Sequence, residues 1–375
     1  MRLRAVPAPL LATLVALPLG APPGAAQVSL SAAARDAQCV VTLHRPPAAV
    51  VVERHTAPLP AGEAEVAVQW GSTRLNTDSL ALVSLSPGVD VGPLRFPPER
   101  PGTACWSVQA QAAGTAEFDL SYLLDGLSWE PVHLLTVNEQ AGTFDLETGA
   151  ALRNDSGREF RGVRITLAPD GPAAPASPLL EALDLGVGEM IQVPYVALRG
   201  VRFEPRLVYD SAAGEATTRQ LVTRNSPELG LPGTPLPGGK VRLFRAADGP
   251  AAFVGEAMLP DVLPQEELTL PLGTAKEVEV DRRVLSTREV DHQRDVHGRT
   301  ALYNIEEEIS VTIRNRTDQA VVLHVRGSIP GEWEMKSTSH EYIRKDAASI
   351  EFLVPVEPHQ QAELRYRYKR LNLIP

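Results

Sequence analysis

The densest run of groups able to do chemistry in this chain is Asp291-His292-Gln293-Arg294-Asp295-Val296-His297. Side chains on an extended strand alternate between faces, so Asp291, Asp295 and His297 would project together. Two carboxylates and an imidazole are ligands for a divalent ion, but the three are strung along one segment and a further ligand would have to arrive from elsewhere. A solvated hairpin accounts for the run without a metal. His340-Glu341-Tyr342-Ile343-Arg344 begins like the H-E-x-x-H of zinc proteases, yet Arg344 stands where the second histidine belongs and its cation would repel the ion. Gly126-Leu127-Ser128-Trp129-Glu130 is half of a nucleophile elbow, without the closing glycine or the following helix, so Ser128 reads as a turn residue. The stretch from Gly233 to Lys240 fails as a phosphate loop, because Gly239 displaces the lysine, Pro235 and Pro237 have no N–H to offer, and a strand follows. Glu306-Glu307-Glu308 would suit a cation or a docking partner, and reads more simply as an acidic strand edge that discourages aggregation. Asn154-Asp155-Ser156 and Asn315-Arg316-Thr317 match the glycosylation acceptor pattern, and both read as turns.

The elements that must position these groups are strands. Ala64, Val66, Val68 and Trp70 alternate with polar neighbours, as do Phe118, Leu120, Tyr122 and Leu124, then Val163, Ile165 and Leu167, then Ile309, Val311 and Ile313, and finally Leu364, Tyr366 and Tyr368. This period of two is the pattern of strands with one buried face, and antiparallel sheets suit it. Helical periodicity is scarce, and only Leu179 to Leu185 reads as a short helical turn. With 33 prolines and 28 glycines the chain is rich in turns. Residues 87–101 separate two strand clusters, and residues 169–178 and 226–239 read as long surface loops. The expected architecture is all-β, built of β-sandwich modules: residues 27–115, residues 116–274, and residues 275–375, the last an immunoglobulin/fibronectin-like sandwich without its disulfide.

Residues 1–26 read as a secretory leader, with Arg2 and Arg4, an apolar stretch from Leu10 to Gly20, and the small residues Gly24-Ala25-Ala26, which places cleavage after Ala26. The apolar stretch is about half the ~20 residues a membrane-spanning helix needs, and Pro18 interrupts it. A lipoprotein would carry a cysteine directly after the leader, whereas the first is Cys39. The expected location is therefore the periplasm or the outside of the cell, with no membrane span. The formal charge of −10 becomes −12 once Arg2 and Arg4 are lost, which disfavours nucleic acid as a partner. Cys39 and Cys105 are the only cysteines. In an oxidising compartment such a pair is expected to be bridged, contributing roughly 4 kcal/mol less any strain.

Several short motifs in fixed order carry a resemblance. They are Leu120-Ser121-Tyr122 with Gly126-Leu127-Ser128-Trp129-Glu130-Pro131, Leu152-Arg153-Asn154-Asp155-Ser156-Gly157, Pro235-Leu236-Pro237-Gly238-Gly239-Lys240-Val241-Arg242-Leu243-Phe244, Phe253-Val254-Gly255-Glu256, Ile313-Arg314-Asn315, Trp333-Glu334 and Leu364-Arg365-Tyr366. The chain resembles the bacterial proteins with domain of unknown function 4139, some of them mucoidy-inhibitor-like. Thr42-Leu43-His44, with Ala49-Val50-Val51-Val52-Glu53-Arg54 and Leu59-Pro60-Ala61-Gly62, is similar to the small β domain that precedes it in relatives. Longer members insert a coiled coil where Val89 to Cys105 here forms a proline-rich connector. The resemblance implies export and a β-rich fold and brings no catalytic residues. In physical terms Trp129 and Trp333 read as core anchors, and Gly157, Gly238 and Gly255 as turns of positive φ.

The sequence thus reads as an exported, non-enzymatic envelope or secreted protein whose partner is an unknown protein or envelope polymer, with neither cofactor nor catalytic set. Two alternatives stand beside it. One is a carbohydrate- or envelope-polymer-binding protein, which would show an exposed row drawn from Trp70, Trp106 and Tyr342. The other is a metal-dependent hydrolase using Asp291, Asp295, His297 or His340.

Overall fold

The computed structural model describes residues 26–30, 39–44, 48–71, 73–168, 179–214, 216–247 and 249–374. The expected leader, apart from Ala26, and the loop at 169–178 lie outside the described residues. In chain order the strands are β1 (Ala26–Leu30), β2 (Cys39–His44), β3 (Ala48–Leu59), β4 (Gly62–Gln69), β5 (Leu75–Ser84), β6 (Val89–Arg95), β7 (Thr103–Ala110) and β8 (Gly114–Leu124). Then follow β9 (Leu127–Asn138), β10 (Thr143–Asn154), β11 (Phe160–Leu167), β12 (Leu179–Leu185), β13 (Met190–Arg202), β14 (Glu204–Asp210), β15 (Thr218–Arg224), β16 (Gly239–Arg245), β17 (Ala252–Leu259) and β18 (Glu267–Thr274). The last are β19 (Val278–Arg294), β20 (Thr300–Asn315), β21 (Val321–Ser328), β22 (Trp333–Thr338), β23 (Tyr342–Arg344), β24 (Ser349–Val356) and β25 (Gln361–Leu373). The fold is all-β, and the alternating residues named above are its buried ones. Phe118, Leu120, Tyr122 and Leu124 are buried in β8, and Leu364, Tyr366 and Tyr368 in β25.

The chain forms two compact units. The first comprises the described residues of Met1–Ser128, Arg153–Ala168 and Pro178–Met190, and the second those of Trp129–Leu152, Pro169–Ser177 and Ile191–Pro375. This differs from three consecutive modules, and the reason is strand pairing between distant segments. The first unit has one sheet ordered β1-β4-β7-β6 and another ordered β12-β11-β2-β3-β8-β5. Parallel pairing of β11 with β2 brings Ile165 beside Val41, so a segment downstream of residue 116 completes a sheet begun upstream of it. The expected boundary at residues 115 and 116 falls inside β8.

The second unit is built on the sheet β18-β15-β14-β21-β24-β23, which contributes to two cores. Leu221 and Leu270 join Leu135, Leu146, Val241 and Leu243 of the sheet β13-β10-β9-β16-β17. Tyr209, Leu323 and Phe352 join Ile309, Val311 and Tyr366 of the sheet β19-β20-β25-β22. Here too a parallel pair crosses an expected boundary: β14, upstream of residue 275, lies beside β21 with Leu207 opposite Leu323.

Three local expectations change. Leu179–Leu185 is strand β12, not a helical turn, and it pairs antiparallel with β11. Register shifts between Phe160 and Val163 and between Val163 and Ile165 disturb the pairing, which is why the leucine spacing lacks clean alternation. The proline-rich connector contains strand β6. Of the three glycines, Gly157 has a positive φ of 81°. Gly238 is required for another reason, since a Cβ there would lie 2.6 Å from the Asp261 amide nitrogen. Gly255 sits in β17 opposite Leu243, next to a register shift, and has no close neighbour.

A recurrent device ends three strands. Asn154, Asn225 and Asn315 are all buried, and each side-chain amide donates to three main-chain carbonyls: Arg158, Leu185 and Gly186; Thr234, Val262 and Leu263; and Gln319, Val356 and Glu357. The Oδ1 of Asn154 accepts from the Ser156 amide and hydroxyl, and that of Asn315 from the Thr317 amide and hydroxyl. Both acceptor-like triplets are therefore corners that tie a strand end to a neighbouring chain segment. A buried amide with every hydrogen so engaged suits the strong penalty on unpaired polar groups.

Candidate functional site

The most buried ionisable constellation lies in the first unit. On β3 the residues Ala49, Val51, Glu53, His55, Ala57 and Leu59 are all buried, so two polar groups interrupt an otherwise apolar face. Glu53 is 1 % exposed. Its carboxylate takes the guanidinium of Arg158, the hydroxyl of Tyr122 at 3.1 Å and the Nε2 of His55 at 3.1 Å. A carboxylate only accepts, so the His55 proton on that bond resides on Nε2. Arg158 also donates to the Tyr122 hydroxyl and lies 5.0 Å from the centre of the Phe160 ring. Burial alone would raise the Glu53 carboxyl; the His55 hydrogen bond and the Arg158 charge outweigh it and hold the group below the ordinary carboxylate range. Burial and the Glu53 charge push the Tyr122 phenol up. The cluster is a closed ion pair in which each charge is answered by a neighbour, a geometry that fixes orientation more than it stabilises.

The two thiols belong to separate environments, and the expected disulfide is not formed. Cys39 pairs in register with Glu53 on the buried face of β2 and β3. In β7, Trp106 and Val108 pair with Val66 and Ala64 on one buried face, while Cys105 pairs with Ala67 on the other, beside Glu65 and Arg100. Alternation along β7 thus turns Cys105 away from the face occupied by Trp106. Burial pushes the Cys105 thiol up to about 11, which leaves it a poor nucleophile.

In the second unit a second buried carboxylate, Glu351 on β24, is 3 % exposed and meets Lys345 at 2.7 Å, Arg326 at 3.0 Å and His324 at 3.4 Å. Burial would raise it, but the Lys345 and Arg326 hydrogen bonds prevail and bring it down to about 2. A cleft of about 680 Å³ lies in the same unit. Phe203, Leu207, Leu272 and Val278 supply its apolar lining, and Arg219 is held there between Glu277 and Glu139, the latter at 3.0 Å.

The Asp291-to-His297 run forms the end of the β19–β20 hairpin. Asp291, in left-handed backbone at φ 54°, meets Lys369 and accepts from Asn304 at 2.9 Å. Asp295 caps the turn by accepting from the amides of His297 at 2.8 Å and Arg299 at 2.9 Å. The two carboxylates are thus committed to different neighbours, and among the described residues no three His, Cys, Asp or Glu side chains gather as a metal-binding set. The His340 ring lies with its Nδ1 2.9 Å from Ser339 Oγ, and its main chain bonds the Thr338 hydroxyl. Glu306–Glu308 lie on a central strand, not an edge, where Glu306 faces Lys369 and Glu308 faces Arg367, and Glu307 accepts the Tyr368 hydroxyl at 2.6 Å. Trp129 and Trp333 are buried anchors as expected, each 5 % exposed. Trp106 is 3 % exposed and so presents no ring to solvent, while Trp70 belongs to the first unit and Tyr342 to the second.

Sequence reasoning missed Glu53, Arg158 and Glu351. The only signal for Glu53 was a charge in a valine-rich strand, and since Val50, Val51 and Val52 are all apolar, the pattern did not reveal which face was inside.

These features define an all-β protein of several stacked sheets whose buried charges are internally paired. Residues 118–369 match the family described as domain of unknown function (DUF4139), and the chain belongs to that family. No curated protein matches the chain. No helix among the described residues is long and apolar enough to cross a membrane.

Proposed function

We propose that this protein is exported to the periplasm or beyond the cell and acts there, without catalysing a reaction, as an interaction module for a protein or envelope polymer. The leader-like first 26 residues support export. The observation that carries the interaction role is the β19–β20 hairpin, whose capped turn presents Val296 at 96 % exposure and whose first strand exposes Val284 and Leu285 at 50 % and 48 %. A lone exposed apolar residue is ordinary, whereas one held out on a turn fixed by Asp295 is preorganised for contact. The committed state of Glu53, Glu351, Asp291 and Asp295 supports a non-catalytic reading. A photo-crosslinker at position 296, used in the native compartment, is expected to capture a partner, and Val296→Asp to abolish capture elsewhere on the hairpin. Repeated recovery of the uncrosslinked chain alone would sink the idea.

Glycan binding has one supporting observation. Phe96 is 47 % exposed, and its ring centre is 6.4 Å from that of Trp70 at 80°. A glycan array probed with the protein and with Phe96→Ala tests it, and equal binding by both would remove this surface from consideration.

A further inference from the structure

We infer that the edge of β4 is a strand-accepting site for an extended segment of a partner protein, and that β1 is the chain's own placeholder in it. β1 runs parallel to β4 in the first unit, with Val28 opposite Val66 and Leu30 opposite Val68. Three further parallel pairs among the described residues repeat this geometry. Val41 and Leu43 of β2 lie opposite Ile165 and Leu167 of β11, Leu135 and Val137 of β9 opposite Leu243 and Arg245 of β16, and Leu207 and Tyr209 of β14 opposite Leu323 and Val325 of β21. The covering strand carries the same triplet each time, two large apolar residues around an uncharged one: Val28-Ser29-Leu30, Val41-Thr42-Leu43, Leu135-Thr136-Val137 and Leu207-Val208-Tyr209. The receiving strands β4, β11, β16 and β21 are equivalent too, since each has an antiparallel neighbour on its far side, β7, β12, β17 and β24.

What differs is the support behind the covering strand. β2, β9 and β14 are backed by β3, β10 and β15, the next strands of the chain, in sheets that continue beyond them. β1 ends its sheet and has five residues against eight in β4. Of the five, Leu30 is buried and Val28 half-buried, while Ala26, Gln27 and Ser29 are exposed. Removal of the leader after Ala26, as proposed above, leaves only Gln27–Leu30. A strand held by so few pairs is among the first elements of a fold to open. A segment with the same triplet that is longer, or backed by a strand of its own, replaces it by strand addition, in which main-chain hydrogen bonds give affinity and alternate side chains give specificity. The slot also defines its occupant. Ala64, Val66 and Val68 are buried in β4, so the incoming segment lies parallel to them, sets apolar side chains where Val28 and Leu30 sit, and brings no charge to that face. At the other three junctions a strand of a further sheet fills the slot, and a partner's strand continues that series at β4.

This rests on the reading of the chain as an interaction module and deepens it, by naming a site and the kind of segment it takes. The test is fluorescence anisotropy of the full chain with a labelled synthetic peptide of residues 24–31, which in the register of β1 spans the whole of β4. Saturable binding is expected. Leu30→Asp in the protein loosens β1 and should tighten the peptide by roughly 10- to 100-fold, as the lost burial of one leucine implies. A peptide carrying Val28→Asp and Leu30→Asp should not bind. Val28→Cys/Val66→Cys, a disulfide between paired residues, should abolish binding until it is reduced. Should Leu30→Asp not fold, Val28→Ser loosens the same strand and should tighten the peptide in the same direction. Absence of binding to the loosened variant, equal binding of the charged peptide, or binding that the disulfide leaves unchanged overturns the inference. Position 296 belongs to the second unit, so capture of a partner there stands or falls independently of this result.

Discussion

The side-chain amide of Asn154 donates to the main-chain carbonyl of Arg158 at 2.6 Å, and the guanidinium of the same Arg158 neutralises Glu53 inside the first unit. A strand-end corner therefore fixes the loop that delivers a cation to a buried anion. The ordering cost of a long side chain falls when its backbone is already held, so corner and ion pair form one linked device.

Arg158→Met should strand the Glu53 carboxylate and cost about 3–5 kcal/mol, whereas adding Glu53→Leu should recover part of that loss, the remainder being the Tyr122 hydroxyl and His55 Nε2–H left without their acceptor. Urea unfolding of the three proteins measures both. A double variant as unstable as the single would show that the site contributes packing and not charge pairing.

Asn315→Ala should cost about 3 kcal/mol, because three carbonyls lose a shared donor in a buried corner. Asn315→Asp should be no milder, since it turns an oxygen toward those carbonyls. Because Asn154 and Asn315 are buried, the folded protein should carry no glycan at either when made in a glycosylating host, as intact mass would show.

Glu351 gives a pH dependence of known sign. Its folded pKa of about 2 lies below the unfolded value of 4.5, so its stabilisation is complete above pH 4.5 and is lost as pH falls from there toward about 2. Allowing for solvent screening of Lys345, the contribution should be about 2 kcal/mol. Unfolding free energies from neutral pH down to pH 3 should decline less in Glu351→Gln than in the parent.

At the hairpin end, Asp295→Ala should loosen the turn, because the His297 and Arg299 amides lose their acceptor. Faster hydrogen exchange at Arg299 would report it. Added zinc or calcium should leave the melting temperature of the parent unchanged, and stabilisation that vanishes in His297→Ala would reinstate the metal reading.

Both thiols should be alkylated after unfolding without reductant, and neither rapidly in the folded protein. Intact mass gives the count, and a mass two protons lighter that resists alkylation would restore the bridge between Cys39 and Cys105.

Much of the architecture was legible along the chain because strand alternation is local. The faces of β8, β20 and β25 follow from residues two apart, and Trp129 and Trp333 announce burial by their size. The Asn-x-Ser/Thr triplets were legible as turns, though not as corners, since the carbonyls they hold come from distant segments such as Leu185 and Val356.

What the amino-acid sequence determined alone was therefore the all-β class, the family and the alternation of faces. Tertiary structure decided which strands are neighbours, and with it the two units, the parallel pairs β2 with β11 and β14 with β21, the buried partners of Glu53 and Glu351, and the separation of Cys39 from Cys105. The physical reason is that side-chain periodicity depends on the geometry of one strand, whereas pairing is chosen by burial and hydrogen bonding summed over segments far apart in the chain.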